Sequence, residues 1–420
     1  MHKARPDPIV DESRHERTGT TAFLAVLVAA LGYFVDIYDL ILFSIIRVKS
    51  LLDIGVPQAD LLPKGVLLLN MQMAGMLVGG ILWGVIGDKR GRLSVLFGSI
   101  ATYSVANAAN GLVHSVEAYA VWRFIAGVGL AGELGAGVTL VCEVMSKEAR
   151  GYGAMVISAV GILGAIAASL VGDLLGWRTA FFVGGAMGIA LLILRIGVAE
   201  SGMFEQIKSR AHVSRGDFLM LFRTPERRRR YLAVILMGVP CWYVIGILVT
   251  FSPEFGRAMG MTPVPSASQA VMFAYIGLSI GSLLGGTLSQ IYQNRKKVVA
   301  AFLGLTVLFV AAYFTIASVS LWAFYAVCLA LGIAIGYWAV FVLMASELFG
   351  TNIRATAATT VPNFVRGSVV LVTSAFQFAI PYLGIQTSAI VIGAIVLIVA
   401  FIALGQLSET YGKDLDYLEE

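Results

Sequence analysis

Long apolar runs, broken at intervals by short polar or charged segments, set the pattern of this chain. About 20 apolar residues in a helix, at 1.5 Å of rise each, match the roughly 30 Å hydrocarbon layer of a bilayer. The first run covers 21–46. It is too long for the apolar stretch of a signal peptide and no small-residue cleavage site follows, so it reads as an uncleaved first span. Hydropathy places further spans near 65–86, 93–113, 117–146, 152–174, 179–199, 231–253, 267–291, 298–317, 321–348, 355–381 and 384–405, twelve in all. The stretch 200–230 is the one long polar interruption. The expected organisation is therefore a tail (1–20), a first six-helix bundle (21–199), a linker (200–230), a second six-helix bundle (231–405) and a second tail (406–420). The fold class is an all-α membrane protein.

Composition narrows the function. With 58% hydrophobic and 13% charged residues the chain cannot present the surface of a soluble enzyme. The 46 glycines, in so apolar a chain, point to close helix–helix approach. The net charge of +5 does not mark a nucleic-acid binder, because its distribution follows topology. Alternate sides carry 22 and 5 Lys and Arg, and the rule that basic loops stay inside places both termini in the cytoplasm of a cell (inner) membrane. Arg123, Arg195 and Arg366 fall within spans. The cysteines (142, 241, 328) are scattered in apolar runs and the histidines (2, 15, 114, 212) lie in loops or the tail, so neither a disulfide framework nor a metal site is expected. Gly127-x-Gly129-x-x-Gly132 has dinucleotide-fingerprint spacing but lies inside an apolar helix, and the only Gly-Lys pair is Gly412-Lys413. No cofactor and no ATP-driven step is expected.

The two halves repeat. Glu143…Arg150 and Glu347…Arg354 share their spacing at an offset of 204, and the segments starting at Gly79-Gly80 and Gly285-Gly286 match at 206. The loop Gly84-Val-Ile-Gly-Asp88-Lys-Arg-Gly-Arg92 resembles the signature loop of the major facilitator superfamily. Arg123-Phe-Ile-Ala-Gly127-Val-Gly129-Leu-Ala-Gly132-Glu133, Glu143 with Arg150-Gly151, and Gly176-Trp177-Arg178 extend the resemblance over essentially the whole chain. In the second half Asn294 stands where the loop's acidic residue would be, so its gate is expected to be weaker or differently paired. The resemblance implies alternating access between two bundles. Gly84, Asp88, Arg92, Glu143, Arg150, Glu347 and Arg354 would then form gating contacts at the cytoplasmic ends.

Charges inside spans each cost about 2.5–3.5 kcal/mol at a helix centre unless paired or hydrated. Asp36, Asp39, Arg123, Glu133 and Arg366 are such residues. Asp39 lies seven residues before the end of the first span and Arg123 six after the start of the fourth, so both sit about 10 Å from the outer surface and a pair is geometrically allowed. Either this is a fixed ion pair or, as in the similar sugar and organic-acid porters, the acidic residue and the arginine take part in proton coupling; Glu133 joins that set. Two carboxylates one turn apart cannot both ionise cheaply in a low dielectric. Asp36-Ile-Tyr38-Asp39 also resembles the first-helix motif of metabolite symporters. Arg366 lies about 17 Å into its helix, with Asn363 on the same face, and either anchors a substrate oxyanion or pairs with an acidic residue such as Glu133. Tyr38, Trp242, Tyr243, Tyr275, Tyr337 and Trp338 either line a solute cavity or pack in the core. The expectation is a monomeric secondary transporter in the lipid bilayer, moving a small organic anion or metabolite with protons. A proton-driven exporter of amphipaths and a non-transporting sensor are the alternatives.

Overall fold

The structure is a computed structural model that describes residues 8–90, 92–133, 150–200, 218–350, 353–412 and 419, with side chains described from residue 27 onward except at 87–90, 92–93, 150–155, 158–159, 197–200 and 355. Twelve helices account for nearly all of the described chain. They are α1 (Pro8–Asp53), α2 (Leu61–Arg90), α3 (Arg92–Asn110), α4 (Val116–Leu130), α5 (Arg150–Leu174) and α6 (Trp177–Glu200). The second six begin with α7 (Pro225–Tyr243), which continues through a π-helical turn (Val244–Val249). Next come α8 (Ala267–Ile291), α9 (Arg295–Thr315) and α10 (Leu321–Ala334), the last running on through Ile335–Tyr337 into Trp338–Glu347. α11 (Arg354–Gly367) passes into the long segment Val369–Gln406, and Gly384, at φ 73°, breaks that segment so that α12 covers 385–406. Eight of the described segments are long and apolar enough to cross a membrane, and the last of them, Thr356–Gln406, holds two helices.

Local chemistry sets the helix starts. Ser115, Thr224, Asn294 and Ser320 each accept the backbone N–H three residues on, at the heads of α4, α7, α9 and α10. Glu409 accepts the N–H groups of Arg295 and Lys296 at 3.1 and 3.0 Å and those of Thr410 and Tyr411 at 2.9 and 2.8 Å. Burial alone would raise its pKa, but these donors outweigh it and hold the carboxyl below its ordinary value.

The internal repeat is built into the glycines. A Cβ on Gly75 or Gly79 of α2 would strike the carbonyls of Phe124 and Val128 on α4, and one on Gly277 or Gly281 of α8 would strike those of Leu329 and Ile333 on α10. Gly127 and Gly332 face back onto the carbonyls of Gln72 and Ala274 in the same way. Two helix pairs thus cross at the same glycine spacing, as close-packed membrane helices do. The offset between α2 and α8 is 202 by this crossing, one helical turn from the 206 read off the loops. The reason lies at Asn294, which caps α9, whereas Asp88 still belongs to α2.

Within the first half α1 packs on α5, α2 on α4, and α3 on α4 and α6; across the halves α5 meets α8 and α2 meets α11. Successive helices joined by short turns run antiparallel, leaving one end of the bundle with Asp53 and Leu61 and the other, the basic end, with Arg90 and Arg295. α1 runs seven residues beyond the expected end of the first span, to Asp53, and so carries Arg47 within it.

Candidate functional site

Away from the two ends of the bundle the buried charges fall into three groups, and α1 touches each. At its centre Asp36 receives a contact from Arg366 of α11, Nη2 to Oδ2 at 3.4 Å, with both side chains essentially unexposed. This pair joins the two halves. It is under-satisfied: Nε and Nη1 of Arg366 and Oδ1 of Asp36 have no hydrogen-bond partner among the described residues. Tyr33, one turn earlier on α1, lies beside Arg366, Asp36 and Trp338, and Tyr275 of α8 lies within electrostatic reach of the same group. Asn363 is held by donating to the carbonyls of Ala131 and Thr359 at 2.8 and 3.0 Å, but its Oδ1 has no partner among the described residues. Gly80 of α2 meets it, so α2, α4 and α11 converge there.

The second group replaces an expected pair. Asp39 and Arg123 are close enough to interact electrostatically, yet Arg123 donates to Gln72 of α2 and stacks its guanidinium 4.4 Å above the Phe43 ring. Neither carboxylate oxygen of Asp39 has a hydrogen-bond partner among the described residues. It lies against Gly184 of α6, with Asn107 of α3 beside it. The longer α1 explains the mismatch. Asp39 stands fourteen residues before the helix end rather than seven, about 21 Å deep, while Arg123 stands about 10 Å from the start of α4.

Glu133 pairs with Arg195 of α6 and not with Arg366. Arg195 Nη1 donates to Glu133 Oε2 at 3.0 Å, Nη2 donates to Oε1, and both side chains are buried. Gly32 of α1 leaves room for the pair, and a Cβ there would collide with it. This bidentate bond ties α4, α6 and α1 within one half. Its geometry is that of a structural pair, in which each charge offsets the desolvation of the other.

The expected aromatic residues divide. Tyr38, Tyr243 and Tyr337 donate their hydroxyls to the carbonyls of Ala180, Ala389 and Met237 at 2.9, 2.8 and 2.9 Å, each bonding within its own half. They pack the bundles and offer no free donor. Trp242 is also buried. Tyr275 and Trp338 face the Asp36–Arg366 group, and Tyr33, which hydropathy alone does not single out, joins them.

Of the expected gating residues, Glu143 and the side chains of Asp88, Arg92 and Arg150 lie outside the described residues. A Cβ on Gly84 would meet nothing within 4 Å among the described residues. Glu347 pairs with Arg295 of α9 at 2.5 Å rather than with Arg354, whose Nε donates to the carbonyl of Phe349 at 3.2 Å. In the second half Arg295, at the head of α9, thus takes the Glu347 carboxylate.

At the Asp53 end a lock appears that charge counting missed. Arg47 Nη2 reaches both oxygens of Glu254, at 2.7 and 2.8 Å, and its guanidinium lies 4.6 Å from the centre of the Phe251 ring. Arg47 belongs to α1 and Glu254 to the short helix Ser252–Ala258 that follows α7, so the bond closes the halves together. Ser44 with Thr250 (3.0 Å) and Ser268 with Asp173 (2.7 Å) add to the seam. Removing one partner of a buried ion pair costs about 3–5 kcal/mol, enough to move a two-state balance by well over a hundredfold. Glu254→Gln is therefore expected to open this end. Spin labels at positions 57 and 263 should show a longer distance population in the variant, and an unchanged distribution would contradict the lock.

The Major Facilitator Superfamily family model matches residues 22–374. Over 376 residues the chain is 25% identical to the "Niacin transporter NiaP" of Acinetobacter baylyi, covering 81% of this chain and 83% of that protein. It is 29% identical over 241 residues to the "3-(3-hydroxy-phenyl)propionate transporter" of Escherichia coli, covering 56% and 58%. Among solved structures, the proton:xylose symporter XylE bound to 6-bromo-6-deoxy-D-glucose superposes with a TM-score of 0.71 at 15% identity, over 95% of this chain and 98% of that one.

Proposed function

The chain belongs to the major facilitator superfamily, and on that premise we propose that it carries a small organic anion, a carboxylate with an apolar or aromatic body, together with a proton. It is a multi-pass membrane transporter. The relatives whose names include niacin and hydroxyphenylpropionate support the substrate class. The basic end faces the cytoplasm on this reading, in line with the 22 to 5 division of basic residues.

The observation that carries the reading is the Asp36–Arg366 pair. It sits at mid-depth between the halves, lined by Tyr33, Tyr275 and Trp338, and it keeps two guanidinium nitrogens unused. An arriving carboxylate finds free N–H donors at Arg366, and a two-pronged contact forms through Nε or Nη1 together with the second hydrogen of Nη2. Its arrival also leaves a net negative charge in a buried site, because Arg366 is already balanced by Asp36. A buried unbalanced charge costs several kcal/mol, and a proton on Asp36 removes it. Anion and proton are thereby bound together, and the loaded site is as neutral as the empty one. Release of the seam at Arg47–Glu254 would expose this site at the Asp53 end, and its re-formation would commit the halves to opening at the basic end.

Flux measurement in proteoliposomes tests this. An inwardly acid-to-alkaline gradient should drive accumulation of a labelled aromatic carboxylate, and an imposed voltage alone should add little. Proton-driven movement of hydrophobic cations in place of carboxylates would favour an exporter, and the absence of any flux a sensor; either would overturn the proposal.

A further inference from the structure

At the basic end, α7 and α12 part to form a groove of ≈ 510 Å³ lined by Pro225, Arg228, Arg229, Leu232, Leu236 and Ile402, among others. The size falls in the range of about 300–1,000 Å³ usual for ligand sites. Its polarity is graded along the helix axis. Arg228 and Arg229 stand at the rim; the walls over the next two turns, about 12 Å, are aliphatic. Leu232, Leu236 and Ile402 are exposed there, so the groove opens sideways toward the hydrocarbon layer rather than into the path between the halves.

The neighbouring arginines are otherwise engaged. Arg227 pairs with Glu419, and Arg230 reaches both Glu419 and the carbonyl of Leu348. Arg228 makes no ion pair among the described residues, and Arg229 donates its Nε–H to the neutral side chain of Gln406 at 2.9 Å, a bond that leaves its charge unneutralised. Two positive charges above an apolar slot that faces lipid demand an amphipathic, anionic occupant.

We propose that this groove binds an anionic phospholipid of the leaflet at the basic end, with its phosphate on Arg228 and Arg229 and an acyl chain along Leu232, Leu236 and Ile402. Charge complementarity selects the headgroup, since clusters of basic residues at a helix end attract anionic lipids, and the lateral opening selects a membrane lipid over a soluble solute. Both walls belong to the second half, so the lipid moves with that bundle. Assignment to the cytoplasmic leaflet rests on the orientation proposed above; the binding itself does not, and neither depends on which solute is carried.

The test uses the full-length protein purified in detergent, with phosphatidylglycerol or phosphatidylcholine added, and reads retained lipid by native mass spectrometry. Wild type should retain phosphatidylglycerol at least fivefold better than phosphatidylcholine. Arg228→Gln/Arg229→Gln should lose that preference, and Leu236→Trp, which fills the slot and keeps the charges, should lose phosphatidylglycerol as well. Arg257→Gln, which removes a single positive charge at the Asp53 end, should retain it. Because lipid retention is read only from intact, monodisperse protein, misfolded variants are excluded from the comparison. Undiminished phosphatidylglycerol on the double variant or on Leu236→Trp would overturn the proposal. Inorganic phosphate that displaces the lipid at equal molarity would do so too, by showing that the apolar slot contributes nothing.

Discussion

Arg366→Ala is expected to lose carboxylate binding by about 30-fold to several thousandfold, the range that follows from removing a buried charged hydrogen-bond partner worth roughly 2–5 kcal/mol. Arg366→Lys should keep a charge but forfeit the two-pronged contact, and its dissociation constant should rise by about tenfold. The alanine variant also strands the Asp36 carboxylate 330 residues away in sequence, so its melting temperature should fall. Asp36→Asn/Arg366→Ala removes both charges and should recover much of the stability while binding stays lost. Calorimetric binding and thermal melting on the same four proteins separate anchoring from support. Full affinity in a stable Arg366→Ala protein would remove the anchor.

Asp36→Asn should produce the opposite phenotype. The amide cannot carry a proton, so accumulation driven by a pH gradient should fall to background while exchange of internal for external substrate continues. In wild type, affinity should weaken by about tenfold per pH unit wherever binding takes up one proton, which is the linkage slope of about 1.4 kcal/mol per unit. The variant should show a flat profile, with tight binding retained at alkaline pH because Arg366 no longer has an internal competitor. If instead Asp36→Asn still accumulates substrate and Asp39→Asn does not, the coupled proton resides on Asp39, one turn along the same face.

Placement within the membrane was legible in the sequence and direction around the helix was not. Hydropathy placed Asp36, Asp39, Arg123, Glu133 and Arg366 in the membrane, and the structure buries all five. Which of them meet depends on how each helix is rotated and which neighbour it faces, and one chain read alone carries little of that. Glu133 therefore met Arg195, and Arg366 met Asp36, while a polar uncharged side chain, Gln72, took Arg123.

The end of α1 shows a second limit. Hydropathy ends the first span at Ile46, just before the charge of Arg47. In the folded chain Glu254, 207 residues on, neutralises that charge, so the helix continues buried past the boundary that hydropathy sets. The glycines gave the reverse case. Their abundance pointed to close helix crossings, and Gly75, Gly79, Gly277 and Gly281 make them, because a missing Cβ has one steric consequence whatever the neighbour.

The most direct measurement is the number of protons taken up as one carboxylate binds, obtained by calorimetric titration of the purified protein in buffers of different ionisation enthalpy. Exchange of a balanced Asp36–Arg366 pair for a substrate–Arg366 pair beside a protonated Asp36 predicts a value near one for wild type and near zero for Asp36→Asn. A wild-type value near zero, or the same value in both proteins, would contradict it.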